Sequence, residues 1–416
     1  MILRIVDMRY PDPFGHEYMY TNAVYDAAME AGIPVIIYGS DRPIANNVKK
    51  VIPLFQDRKW VINRAHNLYS KVFGIISENY YVFKRLKIIL NDGIKEDDVF
   101  LFHSPFYRHF PAIYFWYHQI RKKPWLILML RYSHLNPNGN FRCVKIRNYG
   151  NIAKQWMVRR FYNDFKKSNL ILGTDSEVLS SEFYKMWGIK VVPFPIPVPN
   201  QIFKFKNQEI LKKFSLLNDC EKNDSLTLVS LGPARDDKGS YLLYEAITEI
   251  LKQWNGRRIQ FFIQTKTSEK GSERTKKNIG LLSSVGPFVK TYDKSLSQEE
   301  YWNIFYQANI VLLPYESDEY RARTSGIFAE AMSLGKHVVI PRGTWMEKEI
   351  NGNTQVVSLF DGRSAASLIK AILNALMVVS KSDRSCIPDL CWKEKHNARS
   401  FIDKILKLTG NYHAAN

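Results

Sequence analysis

LTLVSLGPARDDKGS, residues 226–240, is an apolar run that ends at Gly232 and is followed by Arg235, Lys238 and a second glycine, Gly239. A strand that stops at a glycine and turns past two cations gathers backbone amides and positive charge at one corner, which is the chemistry of a phosphate site. A P-loop requires Gly, four residues, then Gly-Lys-Ser/Thr. Counted from Gly232, its second glycine falls on Asp237 and its Ser/Thr on Gly239, so only Lys238 fits and a nucleoside-triphosphatase is excluded. The three spaced glycines of a dinucleotide fingerprint are missing as well. What remains is a flexible strand end at Gly232, cations at Arg235 and Lys238, and a helix expected from Gly239 whose first amides add positive potential. Taken by itself the stretch reads equally well as a solvated turn.

Outward from this corner the chain alternates strands and helices. After LTLVSLG come the helix YLLYEAITEILKQW, the strand RIQFFIQ, the helix SQEEYWNIFYQA, the strand NIVLLPY, the helix GIFAEAMSLG, and the strands KHVVIP and TQVVS. Upstream, ILRIVD, PVIIYG, DVFLFHS, WLILMLR, LILGT and KVVPF are strand candidates, the first two joined by the helix-period stretch YMYTNAVYDAAMEAG. Such alternation predicts parallel, doubly wound α/β sheets. PFPIPVP at 193–199 can continue neither a helix nor a central strand, because proline fixes φ and lacks a donor, and it marks the domain boundary. Two open α/β domains then each present a carboxyl strand edge to ligands.

A second corner follows NIVLLP, in YESDEYRARTSGIFAEAMSLGKHVVIP, Tyr315 to Pro341. Ser325 caps a helix, Gly326 lets a ligand approach its free amides, and Glu330 lies one turn in, where it can accept hydrogen bonds from sugar hydroxyls or serve as an ordinary surface acid.

Together the two corners resemble the donor domain of a GT-B glycosyltransferase of family 4. The resemblance rests on strand–GPARxxKG–helix, the Pro314-Tyr315 loop, SGxFAEAMSxGKxVV and the closing helix after Trp392, and it covers the C-terminal half; the N-terminal half is similar only in layout. It implies an α/β fold of two Rossmann-like domains facing each other across a cleft. Residues 1–198 form the acceptor side, 199–384 the nucleotide-sugar donor domain, and 385–416 a C-terminal helix packing back toward the first. It further implies that Arg235 and Lys238 neutralise the diphosphate of a nucleotide-sugar, that Gly232 and the amides of Ser325 and Gly326 hold it, and that Glu330 binds the ribose. The family's first glutamate, eight positions before the second, falls on Ala322, so this sequence departs there, and Glu316, Asp318 or Glu319 could serve only if the loop is routed differently. Arg321 and Arg323 flank the gap; an added cation contacts phosphate or an acidic sugar, or is solvated.

In the N-terminal half, Gly15 and His16 follow the first strand in a Pro-rich loop where the family has a glycine-containing acceptor-side loop. His103 ends DVFLFHS and His134 lies past WLILMLR. Three histidines at one sheet edge are acceptor-side candidates, His103 for catalysis, although a histidine at a strand end is more often structural. HExxH, GxSxG and Asp-x-Asp are absent, so no metal is expected, nor any cofactor besides the donor; arginine, lysine and helix N-termini supply the positive charge.

The net charge is +19, and residues 101–163 contain eleven Lys or Arg and no Asp or Glu. FYRHFPAIYFWYHQIRKKPW and RNYGNIAKQWMVRRFYNDFKK interleave rings with cations, which suits an anionic membrane surface, single-stranded nucleic acid, or a core edged by solvated charge. No run approaches the roughly 18 apolar residues of a membrane span, and Arg4, Asp7 and Arg9 interrupt what would be a signal peptide. Cys143, Cys220, Cys386 and Cys391 are too scattered for a disulfide framework or a zinc site. The sequence therefore predicts a cytoplasmic glycosyltransferase, peripheral on the inner face of the membrane, that moves a sugar from a nucleotide-sugar to a glycan, polysaccharide or lipid-linked acceptor, with retention if the resemblance holds. A nucleotide-sugar epimerase of the same fold is the alternative. A basic nucleic-acid binder accounts for the charge but not for the two corners.

Overall fold

The computed structural model describes residues 1–10, 16–41, 49–56, 68–131, 148–199, 225–268, 271–350, 356–381 and 390–410. The chain divides into two compact units, Met1–Pro199 with Asn397–Asn416, and Asn200–His396.

The first unit is built on a parallel sheet in the order β3-β2-β1-β4-β5-β6-β7. Its strands are β1 (Leu3–Val6), β2 (Val35–Ser40), β3 (Val51–Phe55), β4 (Val99–Phe102), β5 (Trp125–Met129), β6 (Leu170–Thr174) and β7 (Val192–Pro193). Helices cover both faces, so the strands read as continuous apolar runs and not as alternating ones; LRIV and VFLF are buried at every position. Arg4 is tolerated inside β1 because its Nε donates to Asp98 at 2.9 Å and its Nη1 to the Tyr38 hydroxyl at 2.7 Å, pinning β1 to its neighbours. The sequence reading missed β3. Pro53 removes a ladder donor from it, which an edge strand tolerates. The helices are α1 (His16–Glu30), α2 (Leu68–Ile89), α3 (Phe110–Gln119), α4 (Asn148–Phe165) and α5 (Glu177–Trp187).

The second unit carries the order β10-β9-β8-β11-β12-β13, all parallel, from β8 (Ser225–Ser230), β9 (Arg258–Gln264), β10 (Val289–Tyr292), β11 (Ile310–Leu312), β12 (His337–Pro341) and β13 (Val357–Phe360). The chain winds outward from β8 to β10, then returns beside β8 as β11. The topological switch point thus lies between β8 and β11, where open α/β sheets bind ligands. Both corners singled out in the sequence follow these two strands.

The expected helix does not start at Gly239. Two 3-10 turns, Asp236–Lys238 and Ser240–Leu242, come first, and the helix runs Leu243–Gln253. Gly239 joins the two turns at φ +59, and a Cβ built there would lie 1.7 Å from the Pro314 carbonyl oxygen. Only glycine lets the β8 corner press against the β11 corner so closely, and the Glu316 amide completes the contact by donating to the Asp237 carbonyl at 3.0 Å.

The C-terminal segment, expected as one helix over 385–416, is two among the described residues: Leu390–Lys395 in the second unit, and Ala398–Thr409, whose Phe401, Ile402, Ile405 and Leu406 are buried in the core of the first. Gly239→Ala is expected to destabilise the second unit by at least about 2 kcal/mol, from left-handed strain plus the clash. Thermal unfolding checks this, and a midpoint unchanged within error would mean the corners do not meet as described.

Candidate active site

At the switch point the strand end of β8 leaves Gly232 at φ +89, with its amide donating to Gln264 Oε1 at 2.7 Å. A methyl group at Gly232 would lie 2.3 Å from Lys238 Nζ and 3.4 Å from Ile327 Cδ1, so the lysine folds back over the bare backbone. Lys238 is buried and its ammonium has no hydrogen-bond partner among the described residues. Burial first, and Arg235 second, pull its pKa down to about 7. A buried cation without a partner is costly, and a bound anion would neutralise it.

Arg235 and Arg323 converge on one carboxylate. Asp237 forms ion pairs through Oδ1 with Arg235 Nε and through Oδ2 with Arg323 Nη1, each at 3.0 Å. Asp236 faces the other way: its Oδ1 accepts from the Ser272 amide at 3.0 Å and from the Ser272 and Thr275 hydroxyls at 2.8 and 2.5 Å, which fixes the turn to the helix Glu273–Gly280. The turn therefore presents Arg235 and Lys238 from a held backbone.

Across from it, Ser325 caps the helix Gly326–Ser333 through an Oγ that accepts from the Phe328 amide at 3.2 Å. The amides of Gly326 and Ile327 have no intrahelical acceptor at those positions. Glu330, on the same helix, is buried, and burial raises its carboxyl to about 7 although the Tyr301 hydroxyl donates to Oε2 at 2.5 Å and Lys238 attracts it. Trp392 steadies this helix from behind, donating from Nε1 to the Ala329 carbonyl at 3.2 Å and packing edge-on to Phe328. The structure thus brings Gly232, Arg235, Lys238, Arg323, Ser325, Gly326 and Glu330 to one sheet edge. Sequence reasoning missed Tyr301, Gln264 and the part played by Asp237.

Ala322, where the family places its first glutamate, is buried at 2% exposure. Glu316 does not replace it, because its carboxylate is engaged by the Tyr241 hydroxyl and by Arg363 Nε, and Arg363 also reaches Asp318 at 3.2 Å.

In the first unit, His103 has no exposed surface. Its Nε2 lies 2.7 Å from Thr21 Oγ1 and 3.1 Å from Asp7 Oδ2, and its ring stacks on Tyr20 at 4.8 Å. Burial pushes the Asp7 carboxyl up, but His103 and the hydrogen bonds around it hold it below its usual value. Above this group, at the ends of β1 and β4, a small pocket is lined by Asp7, Arg9, Ser104 and Phe106. The Arg9 and Arg108 guanidinium carbons lie 4.5 and 4.6 Å from the Phe106 ring centroid. His16 opens α1 instead of lying in the preceding loop. Gly15, His134, Cys143, Cys220 and Cys386 fall outside the described residues.

The basic aromatic stretch from Phe106 is mainly core: Phe110, Ile113, Tyr114, Trp116 and Tyr117 are buried, and Lys123 donates to the carbonyls of Tyr117, His118 and Ile120, closing the end of α3. Of this stretch Phe115 alone among the large hydrophobic residues is widely exposed. No described helix is long and apolar enough to cross a membrane.

No protein-family model matches the sequence, and no curated protein does. Solved structures do resemble it along almost the whole chain. A glycosyltransferase from Rickettsia africae is 13% identical, with a TM-score of 0.64 over 99% of this chain and 98% of that one. An α,α-trehalose-phosphate synthase (UDP-forming) from Burkholderia xenovorans, in complex with glucose-6-phosphate, is 13% identical, with a TM-score of 0.66 over 99% and 100%. An E. coli trehalose-6-phosphate structure bound with UDP-2-fluoro glucose is 13% identical, with a TM-score of 0.61 over 100% and 97%. The fold is GT-B, with two Rossmann-like domains.

The buried Lys238 makes the electrostatics of the site testable. Unfolded, a lysine holds its proton up to about 10.5, whereas in the fold Lys238 releases it at about 7. Between those values the unfolded chain binds the extra proton, so the wild-type protein gains stability as pH rises from 7 toward 10.5. Lys238→Met, which carries no charge, is expected to be more stable than wild type at pH 6.5, by on the order of 2–4 kcal/mol, with the difference shrinking as pH approaches 10. Denaturant unfolding of both proteins across that range checks it; an unchanging or opposite difference would show that the ammonium is not held uncompensated.

Proposed function

We propose that this chain is a glycosyltransferase that moves a sugar from a nucleoside diphosphate carrier to an acceptor hydroxyl. The observation that carries the reading is the buried ammonium of Lys238, without a hydrogen-bond partner among the described residues, between Gly232 and the helix Gly326–Ser333, with Arg235 and Arg323 beside it. Three cations and a helix N-terminus at a topological switch point suit a diphosphate, whose charge grows as it leaves the sugar. Glu330, fixed by Tyr301, is assigned to the ribose hydroxyls. A UDP-linked donor is favoured by the fold likeness to the UDP-forming synthase.

In the proposed reaction the bond from the anomeric carbon to the diphosphate oxygen breaks and the acceptor oxygen bonds to that carbon, its proton passing to the departing phosphate. Lys238, in its protonated form, and Arg235 stabilise the leaving charge, a contribution of about 3 kcal/mol for each well-placed donor. Among the described residues no group of three His, Cys, Asp or Glu is placed to hold a cation, and we assign the charge work to the protein's own cations. Asp7, Thr21 and His103 are assigned a positioning role beneath the first unit's pocket, since no surface of His103 is exposed. An acceptor carrying an anionic group, whether a glycan, a polysaccharide precursor or a lipid-linked sugar in the cytoplasm, fits Arg9 in the lining of that pocket. Retention of anomeric configuration follows from the resemblance to family 4.

The test is transfer from UDP-glucose and related nucleotide-sugars to an acceptor panel, followed by proton NMR of the anomeric signal. Arg235→Ala and Lys238→Ala are expected to lower the rate by about 10²- to 10³-fold and to weaken nucleotide-sugar binding while leaving the fold intact. The wild-type rate is expected to survive EDTA. Near-normal activity in either variant overturns the phosphate assignment, and loss on chelation restored by manganese overturns metal independence. Interconversion of the nucleotide-sugar with no acceptor present would identify an epimerase instead.

A further inference from the structure

Helix α2 spans 22 residues, roughly 33 Å at 1.5 Å per residue. It rests on the first unit by a narrow stripe in which Glu78, Val82, Leu86 and Ile89 are buried. Glu78 anchors it, with Oε2 3.0 Å from Arg108 Nε and 3.3 Å from His109 Nε2, and Asn79 donates to the Arg108 carbonyl at 2.7 Å while accepting from the Ala112 amide at 3.1 Å. The opposite face should be polar in an ordinary surface helix. Instead Tyr69 is 88% exposed, Phe73 73%, Ile76 61% and Tyr80 63%.

Those four positions are spaced 4, 3 and 4 apart, so they form one stripe along the helix. The stripe continues into Lys84 and Lys87, both exposed. Lys84 Nζ lies 5.5 Å from the Tyr80 ring centroid and Lys87 Nζ 5.8 Å from that of Phe83. Glu78 is the single acid on α2 and lies buried on the other face, so α2 itself places no carboxylate on the stripe. α3 packs against α2, and α4 against α3 through Tyr114, Phe161 and Phe165. Among the described side chains these neighbours add the widely exposed rings Phe115 and Trp156, and the turn after α3 adds exposed Arg121 and Lys122.

We infer that the outward face of α2 is a docking surface for an anionic lipid bilayer, with Phe73 and Ile76 entering the headgroup–acyl boundary and Lys84 and Lys87 meeting lipid phosphates. Two observations favour a bilayer over a protein groove. The apolar residues follow a single stripe along the helix, as in helices that lie in the interface plane. The charge that prolongs the stripe is of one sign and complements anionic headgroups. The inference is independent of the transfer reaction, because nothing in it uses the β8 and β11 corners.

The experiment is co-sedimentation of the full chain with vesicles of phosphatidylglycerol and phosphatidylcholine in equal parts, and with phosphatidylcholine alone, at 50 and 500 mM salt, alongside sedimentation velocity without lipid. Wild type is expected to pellet with the anionic vesicles and to be released by salt. Phe73→Ser/Ile76→Ser should weaken partitioning at least tenfold at both salts. Lys84→Ser/Lys87→Ser should weaken it several-fold and flatten the salt dependence, and both variants should keep wild-type unfolding midpoints, since all four side chains are exposed. Failure of wild type to pellet with anionic vesicles at low salt overturns the inference, as does pelleting that Phe73→Ser/Ile76→Ser leaves unchanged. A wild-type dimer that the same substitution turns into monomer would show that a second copy covers this face, and would overturn it also.

Discussion

The second unit is organised around an ammonium that has no hydrogen-bond partner among the described residues. Lys238 is buried against the bare backbone of Gly232, and each neighbouring feature serves to keep it there: Gln264 holds the Gly232 amide, Asp236 ties the turn to the helix Glu273–Gly280, and Gly239 brings the turn against Pro314. A fold selected only for stability would give such a cation a carboxylate or replace it with an apolar residue. The nearest acids are committed elsewhere, Asp237 to Arg235 and Arg323, Glu330 to Tyr301. Stability is lowered at the position where an incoming anion gains most, the usual relation between strain and function.

Asp237 bears on this directly. Its two oxygens span two guanidinium groups as a phosphate would, so the arginines are not splayed by repulsion and are held close to one another. Rigid presentation of charge lowers the reorganisation needed when the leaving group develops its own. Lys238, lacking any such partner, is left for the ligand.

The features legible in the sequence were local. Glycine at a strand end, a serine cap three residues before the amide that donates to it, and apolar runs of buried parallel strands all declare themselves within a few residues. Tyr301, Gln264 and the Asp237–Arg323 pair did not, because they act across 29, 32 and 86 residues and no pattern connects them. The helix expected at Gly239 begins later because the close approach to Pro314 imposes a left-handed residue, which a helix cannot include. Helix α2 escaped notice for a different reason: its outward stripe is as apolar as its inward one, so hydrophobicity has little 3.6-residue rhythm to detect. The histidine argument shows the limit of proximity along a strand edge. His103 does directly follow β4, yet its ring is stacked on Tyr20 and bonded to Asp7 and Thr21.

The departure at Ala322 has a structural counterpart in Arg363. That residue follows β13 at φ +66, the one described non-glycine residue with a positive φ, in a conformation that costs about 1 kcal/mol or more for an arginine. The strain is offset by what the side chain reaches: it binds Glu316 and Asp318, while the Tyr241 hydroxyl donates to Glu316 from the other side, with Arg274 4.3 Å above that tyrosine ring. Glu316 and Asp318, two of the acids just upstream of position 322, are thus locked into a network linking the ends of β11 and β13. An alanine at position 322 offers no acceptor for sugar hydroxyls, and the flanking Arg321 and Arg323 bring charge of the opposite sign. Under the proposed reaction, donor recognition in this chain must therefore rest on the diphosphate and ribose contacts more than on a carboxylate reading the sugar.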